Sequence, residues 1–66
     1  MEMKDRIRIK RESLGYSKNK LAKLAGVSPT AISKVEKGGS SRFIVDIARA
    51  LGVSAEYLMT GRGKAA

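Results

Sequence analysis

The apolar positions of this chain fall into short helical stripes, most of them closed by a glycine. The clearest stretch runs from Leu21 to Gly38, LAKLAGVSPTAISKVEKG. Ser17 can N-cap a helix that carries Leu21, Leu24 and Ala25 at the i, i+3, i+4 spacing that buries one face. Gly26 supplies the left-handed residue that stops it. Ser28 is a second N-cap, and Pro29 takes the first helical position, where its missing N–H leaves no bond unmade. In the helix that follows, Ile32 and Val35, with Ala31 beside them, form the inner face. Thr30, Ser33, Lys34 and Lys37 point outward until Gly38 and Gly39 end the segment. The pattern predicts two short helices joined by a tight glycine turn, the second showing solvent short polar and basic side chains.

Three further helices complete the reading. The first runs from about Lys4 to Leu14, with Ile7, Leu14 and Met3 inward and Gly15 as its stop. The segment RFIVDIARALG places Phe43 or Ile44, then Ile47, Ala48 and Leu51, at helical spacing, with Gly52 after them. Val53 precedes Ser54, a third N-cap, and the short segment AEYLM ends at Thr60 and Gly61. With no strand pattern, the expected fold is all-α: a compact five-helix domain over residues 1–61. Residues 62–66, RGKAA, are expected to form a disordered basic tail.

Composition narrows the function. Sixty-six residues suffice for one small domain, whose core supplies only a few kcal/mol unless a partner helps, so oligomerisation is expected. There is no Cys and no His, which leaves no disulfide framework, no thiolate nucleophile and no good zinc set; no metal and no cofactor is expected. Asp5, Glu12, Asp46 and Glu56 are scattered and no glycine-rich phosphate loop is present, so an enzyme is not expected. No apolar leader or spanning stretch appears, and the glycine-capped short helices offer no continuous basic face to a membrane; a soluble cytoplasmic protein is expected. Fourteen Lys and Arg against six Asp and Glu give a net charge of +8. That field favours polyanionic partners, nucleic acid first, the plainer alternative being a charge that only aids solubility.

LAKLAGVS, then TAISKVEKG with Ile32, Val35, Glu36 and Gly38, then IARALGVSAEYLMTG, together resemble the lambda-repressor-like helix-turn-helix domains, which include the Cro and repressor proteins of temperate phages. The resemblance covers nearly everything from Arg6 to Gly61. It implies that helices two and three form a reading head, that helix three lies in the major groove of operator DNA, and that a homodimer addresses half-sites roughly 10 base pairs apart. Thr30 and Lys34, one turn apart, are then the leading base readers: Lys34 can donate to guanine, and Thr30 can offer its hydroxyl or touch a thymine methyl. Pro29 and Ser33 flank them. The alternative is that all four are simply solvated. Phosphate contacts are expected from Lys18 and Asn19, Ser28, and Ser40, Ser41 and Arg42 before helix four, with help from Lys37 and Lys10.

The departures from that family pattern also carry information. Many members have Gln where this chain has Lys18, which can bind a phosphate as a point charge but cannot accept a hydrogen bond. Helix three lacks the Gln or Asn pairs that grip adenine, so the bases recognised differ from those of such relatives. The resemblance also implies a salt bridge between Arg11 and Glu36, orienting helix three, with two unrelated solvated charges as the alternative. It places dimer contacts around helix five, at Ala55, Tyr57, Leu58 and Met59; alternatively Tyr57 and Leu58 only seal the core. If this is the natural chain, its length resembles Cro more than a repressor with an appended dimerisation domain. The expected function is therefore a Cro-type repressor that blocks a promoter as a dimer, weak in solution and formed on DNA, with no small-molecule effector. The alternative class is an antitoxin-like module that binds a protein toxin and represses its own operon.

Overall fold

The computed structural model describes residues 1–39 and 42–62, and their helices are α1 (Met3–Ser13), α2 (Lys18–Ala25), α3 (Pro29–Glu36), α4 (Ile44–Leu51) and α5 (Ala55–Thr60). No strand occurs among the described residues, and none of their helices is long and apolar enough to cross a membrane. The three serine caps form as their positions require: Ser17, Ser28 and Ser54 each accept the N–H three residues on. Gly26, at φ 74°, ends α2 in the left-handed region that glycine enters without a Cβ penalty, and lets α3 begin three residues later.

Each helix contributes one large apolar side chain that is fully buried: Ile7, Leu21, Ile32, Ile47 and Leu58. Ala22, Val35, Ile44, Ala48, Leu51 and Val53 close the core around them. Packing runs α2 against α3 and α4, α4 against α5, and α1 against α3 and α5. The two helices joined by the glycine turn are thus gripped from behind, with the outer surface of α3 left open.

Two expected core residues face solvent. Leu24 is 47% exposed, because the buried stripe of α2 is Leu21, Ala22 and Ala25, at i, i+1 and i+4; Leu24 lies off its far side. Leu14 is 41% exposed because α1 already ends at Ser13, leaving Leu14 as the cap residue on the way into the turn. That helix also starts one residue earlier than the pattern predicts.

The end of α3 depends on a close approach. Gly38 sits at φ 89°, and the Gly39 N–H donates to the Lys34 carbonyl at 2.8 Å. A Cβ on Gly39 would lie 2.7 Å from that same oxygen. Backbone, not a flexible side-chain tip, is what it would strike. Gly39→Ala is expected to lower stability by about 1–3 kcal/mol, as other overpacked sites do. Urea unfolding measures it, and a cost within experimental error would show that the turn relaxes freely.

Candidate nucleic-acid interface

Residues at the start of α3 are displayed by the cap that begins it. Ser28 Oγ accepts the Ala31 N–H at 3.2 Å, which commits its acceptor side inward and leaves its hydroxyl proton to donate outward. Pro29 and Thr30 follow, both exposed, and Lys34 is exposed one turn on, with Ser33 half-buried beside it. Between this face and the approach to α4 lies an open groove of ≈ 290 Å³, lined by Ser28, Thr30, Ala31, Lys34, Val35, Arg42 and Phe43. The Arg42 guanidinium carbon stands 5.6 Å from the centre of the Phe43 ring, within cation–π range. Hydroxyls and cations therefore surround a small apolar floor. Such a surface suits a ligand that offers anionic oxygens and polar base edges together with methyl groups.

The charge is distributed unevenly. Helices α1, α4 and α5 each carry a carboxylate in the first turn, Asp5, Asp46 and Glu56, which complements the positive end of the helix dipole. Helices α2 and α3 carry none. Their free N–H groups and dipoles remain available to an anion from outside. Surface ion pairs occupy acids elsewhere: Lys4 with Glu2, Arg8 with Asp5, and Arg49 with Asp46, at 3.5, 3.5 and 3.1 Å. Such exposed pairs contribute little stability. Across α2 and α3, by contrast, Lys18, Lys20, Lys23, Lys34 and Lys37 face only one acid, Glu36, whose side chain is 4% exposed.

Glu36 is turned inward by Arg11. The guanidinium Nε and Nη2 donate to its two carboxylate oxygens at 2.7 and 3.1 Å, and Nη1 donates to the Tyr16 carbonyl at 2.8 Å. This two-bond geometry ties α1 to the last residue of α3 and to the turn before α2. The carboxylate bonds hold the Arg11 guanidinium above its ordinary pKa, against the lowering effect of burial. A raised cationic pKa gives stability that is fully present below the unfolded value and lost only as pH rises through the folded one. For an arginine both lie far above neutrality, so Arg11 introduces no pH dependence in the physiological range.

Thr30, Lys34, Ser28 and Arg42 therefore meet in one groove. Lys18 and Asn19, exposed at the start of α2, Lys10, half-buried on α1, and Lys37, exposed at the end of α3, do not line it. Ser40 and Ser41 lie outside the described residues. On α5, Leu58 is fully buried, so it is core and not a surface residue: it is the most deeply buried side chain of a helix that packs on α1 and α4. Ala55 and Tyr57 are half-buried, and Met59 is 51% exposed. Sequence reasoning did not find Phe43 as a groove wall, because its apolar side chain pointed to the core that Ile44 in fact fills. It also missed Arg6, whose partners are backbone carbonyls more than fifty residues away, for which no periodicity gives a signal.

The helix-turn-helix family matches residues 7–58. Among solved structures, the chain is similar to the P22 c2 repressor protein in complex with synthetic operator 9T, at 32% identity and a TM-score of 0.84, over 94% of this chain and 98% of that one. It is also similar to the DNA-binding domain of the P22 c2 repressor in solution, at 33% identity and 0.81, over 88% and 80%. A third similarity is to the SinR protein/SinI protein complex, at 31% identity and 0.79, over 88% of this chain and 60% of that chain.

Proposed function

From a chain that belongs to the helix-turn-helix family, as a DNA-binding domain of the repressor type, we propose a Cro-type transcriptional repressor that binds a palindromic operator as a dimer and blocks access to an overlapping promoter. The observation that carries this reading is the exposed head of α3, where Thr30 and Lys34 flank a cationic groove at a helix N-terminus that carries no carboxylate of its own. With α3 in the major groove, Lys34 donates to guanine O6 or N7, and Thr30 bonds a base edge or packs on a thymine methyl. Pro29 and Ser33 flank these contacts, while Lys10, Lys18, Asn19, Ser28, Lys37 and Arg42 hold the phosphates and set the register.

Size supports the dimer. The domain measures 26 Å along its longest axis, while half-sites one helical turn apart lie about 34 Å from centre to centre. One copy reads one half-site, and a palindrome needs two. Met59, with the exposed edges of Ala55 and Tyr57, is the surface assigned to that pairing. It is small enough for a dimer that forms mainly on DNA, and the reading calls for no small-molecule effector. The setting is the cytoplasm of a bacterial host, on the nucleoid.

Selection of bound sites from a randomised DNA pool at fixed salt, repeated with Thr30→Ala and Lys34→Ala, tests the reading. An inverted repeat is expected, with each variant relaxing one position by about 1–3 kcal/mol. If the pool yields no consensus and binding only tracks salt, the repressor reading fails, leaving a nonspecific or partner-directed module.

A further inference from the structure

Helix α5 is six residues long, too short to hold its shape without tertiary help. Its carbonyls are closed in two ways. Gly61 N–H, from a residue at φ 80°, donates to the Tyr57 carbonyl at 2.8 Å. The next two carbonyls, of Leu58 and Met59, accept from Arg6 on α1: Nε to Leu58 at 2.9 Å and Nη2 to Met59 at 3.0 Å. The remaining guanidinium arm, Nη1, donates to the Met1 carbonyl at 2.6 Å. No carboxylate among the described residues pairs with Arg6. A planar fork of donors, aimed at the negative end of a helix, is a fitting cap there. A Cβ on Gly61 would lie 3.3 Å from Nη1, so the guanidinium also rests against the turn that ends the helix.

We propose that Arg6 is a positioning residue for self-association, holding α5 in the orientation that presents Met59 to a second copy of this chain. The inference rests on the reading of α5 as the dimer surface and adds what keeps that surface in place. Arg6 grips the backbone of Met59 itself, while the Met59 side chain stays 51% exposed on the outside of the helix. Leu58 fixes α5 by its fully buried side chain, with Ala55 and Tyr57 packed partly buried against the core ahead of it. The guanidinium adds two fixed points at the other end of the helix, the Leu58 and Met59 carbonyls. A surface ordered before it meets its partner loses less conformational freedom on association.

The test uses two duplexes: the palindrome recovered by selection, and the same duplex with one half-site scrambled. Binding is measured for the wild type, Arg6→Ala, Arg6→Lys and Met59→Ala, with protein concentration corrected for the folded fraction from circular dichroism. Arg6→Ala is expected to bind the palindrome about tenfold more weakly while holding the single half-site within about twofold, a coupling loss and not a loss of reading. Arg6→Lys, with one point donor for three carbonyls, falls between, and it carries the test if the alanine variant does not fold. Met59→Ala reproduces the loss on the palindrome only. Equal losses on both duplexes, or none on either, overturn the proposal and leave Arg6 a plain helix cap. An unaffected Met59→Ala in a wild type that still prefers the palindrome overturns it too, by placing the dimer surface elsewhere. A wild type with no preference for the palindrome removes the dimer reading itself, and this proposal with it.

Discussion

Glu36→Ala is expected to cost about 3–5 kcal/mol of folding stability, because it strands a guanidinium that the fold has already taken out of water. The Arg11 side chain is 10% exposed, and only the Tyr16 carbonyl and a distant, exposed Glu12 at 3.9 Å remain near it once Glu36 is removed. A domain of this size has roughly 3–10 kcal/mol in total, at the usual stability per residue. The variant should therefore be largely unfolded near physiological temperature. Arg11→Met with Glu36→Leu should recover most of the loss, since the two methylene-rich side chains fill the same space without a buried charge. Urea titration of both single variants and the double gives the coupling directly. A cost below about 1 kcal/mol for Glu36→Ala would mean that the pair is screened as a surface pair is. Any recovered double variant is also informative about recognition, because Glu36 is the last residue of α3. If the pair only holds the fold together, the double variant binds DNA like the wild type; if it also sets the angle of α3, base preference shifts.

Much of this architecture was legible in the chain because its punctuation is local. Each serine cap and each glycine stop acts within one turn of helix, so Ser17, Ser28, Ser54, Gly26 and Gly52 could be read without any knowledge of packing. The misreadings occurred where the answer depends on a neighbour. Leu24 fits the inward stripe of an isolated α2, but the helices that cover α2 reach it over Ala22 instead, where a small side chain permits close approach. Leu58 and Met59 are adjacent on one short helix, and only the position of α1 and α4 decides which of them is buried. The groove was half legible. Thr30 and Lys34 follow from helical spacing, whereas Phe43 joins them only because the chain turns before α4 and brings a residue nine positions on back beside α3. Arg6 was illegible, since a backbone carbonyl carries no sequence signature.

Raising the salt from 50 to 200 mM is expected to weaken operator binding by about 10⁴-fold. Each phosphate neutralised by a protein cation releases its condensed counterions. Lys10, Lys18, Lys37 and Arg42 are the cations assigned to phosphates, which makes about eight in a dimer and a slope near −7 in log affinity against log salt. Asn19 and Ser28 add hydrogen bonds but release no ions. Lys18→Ala, acting once per protomer, should flatten that slope by about 2 units on every sequence tested, without changing which base is preferred. Lys18→Gln should flatten it equally, yet bind more tightly than the alanine variant at high salt, because the amide can still donate to a phosphate and can accept a hydrogen bond as well. Thr30→Ala should leave the slope alone and change the preferred sequence. Titrations with a fluorescent duplex across four salt concentrations distinguish these effects. A slope shallower than about −2 would mean that α2 and the approach to α4 do not reach the backbone. A steep slope that is identical for palindromic and scrambled duplexes would leave the charge of α2 and α3 as a general attraction to nucleic acid, with no part for the groove.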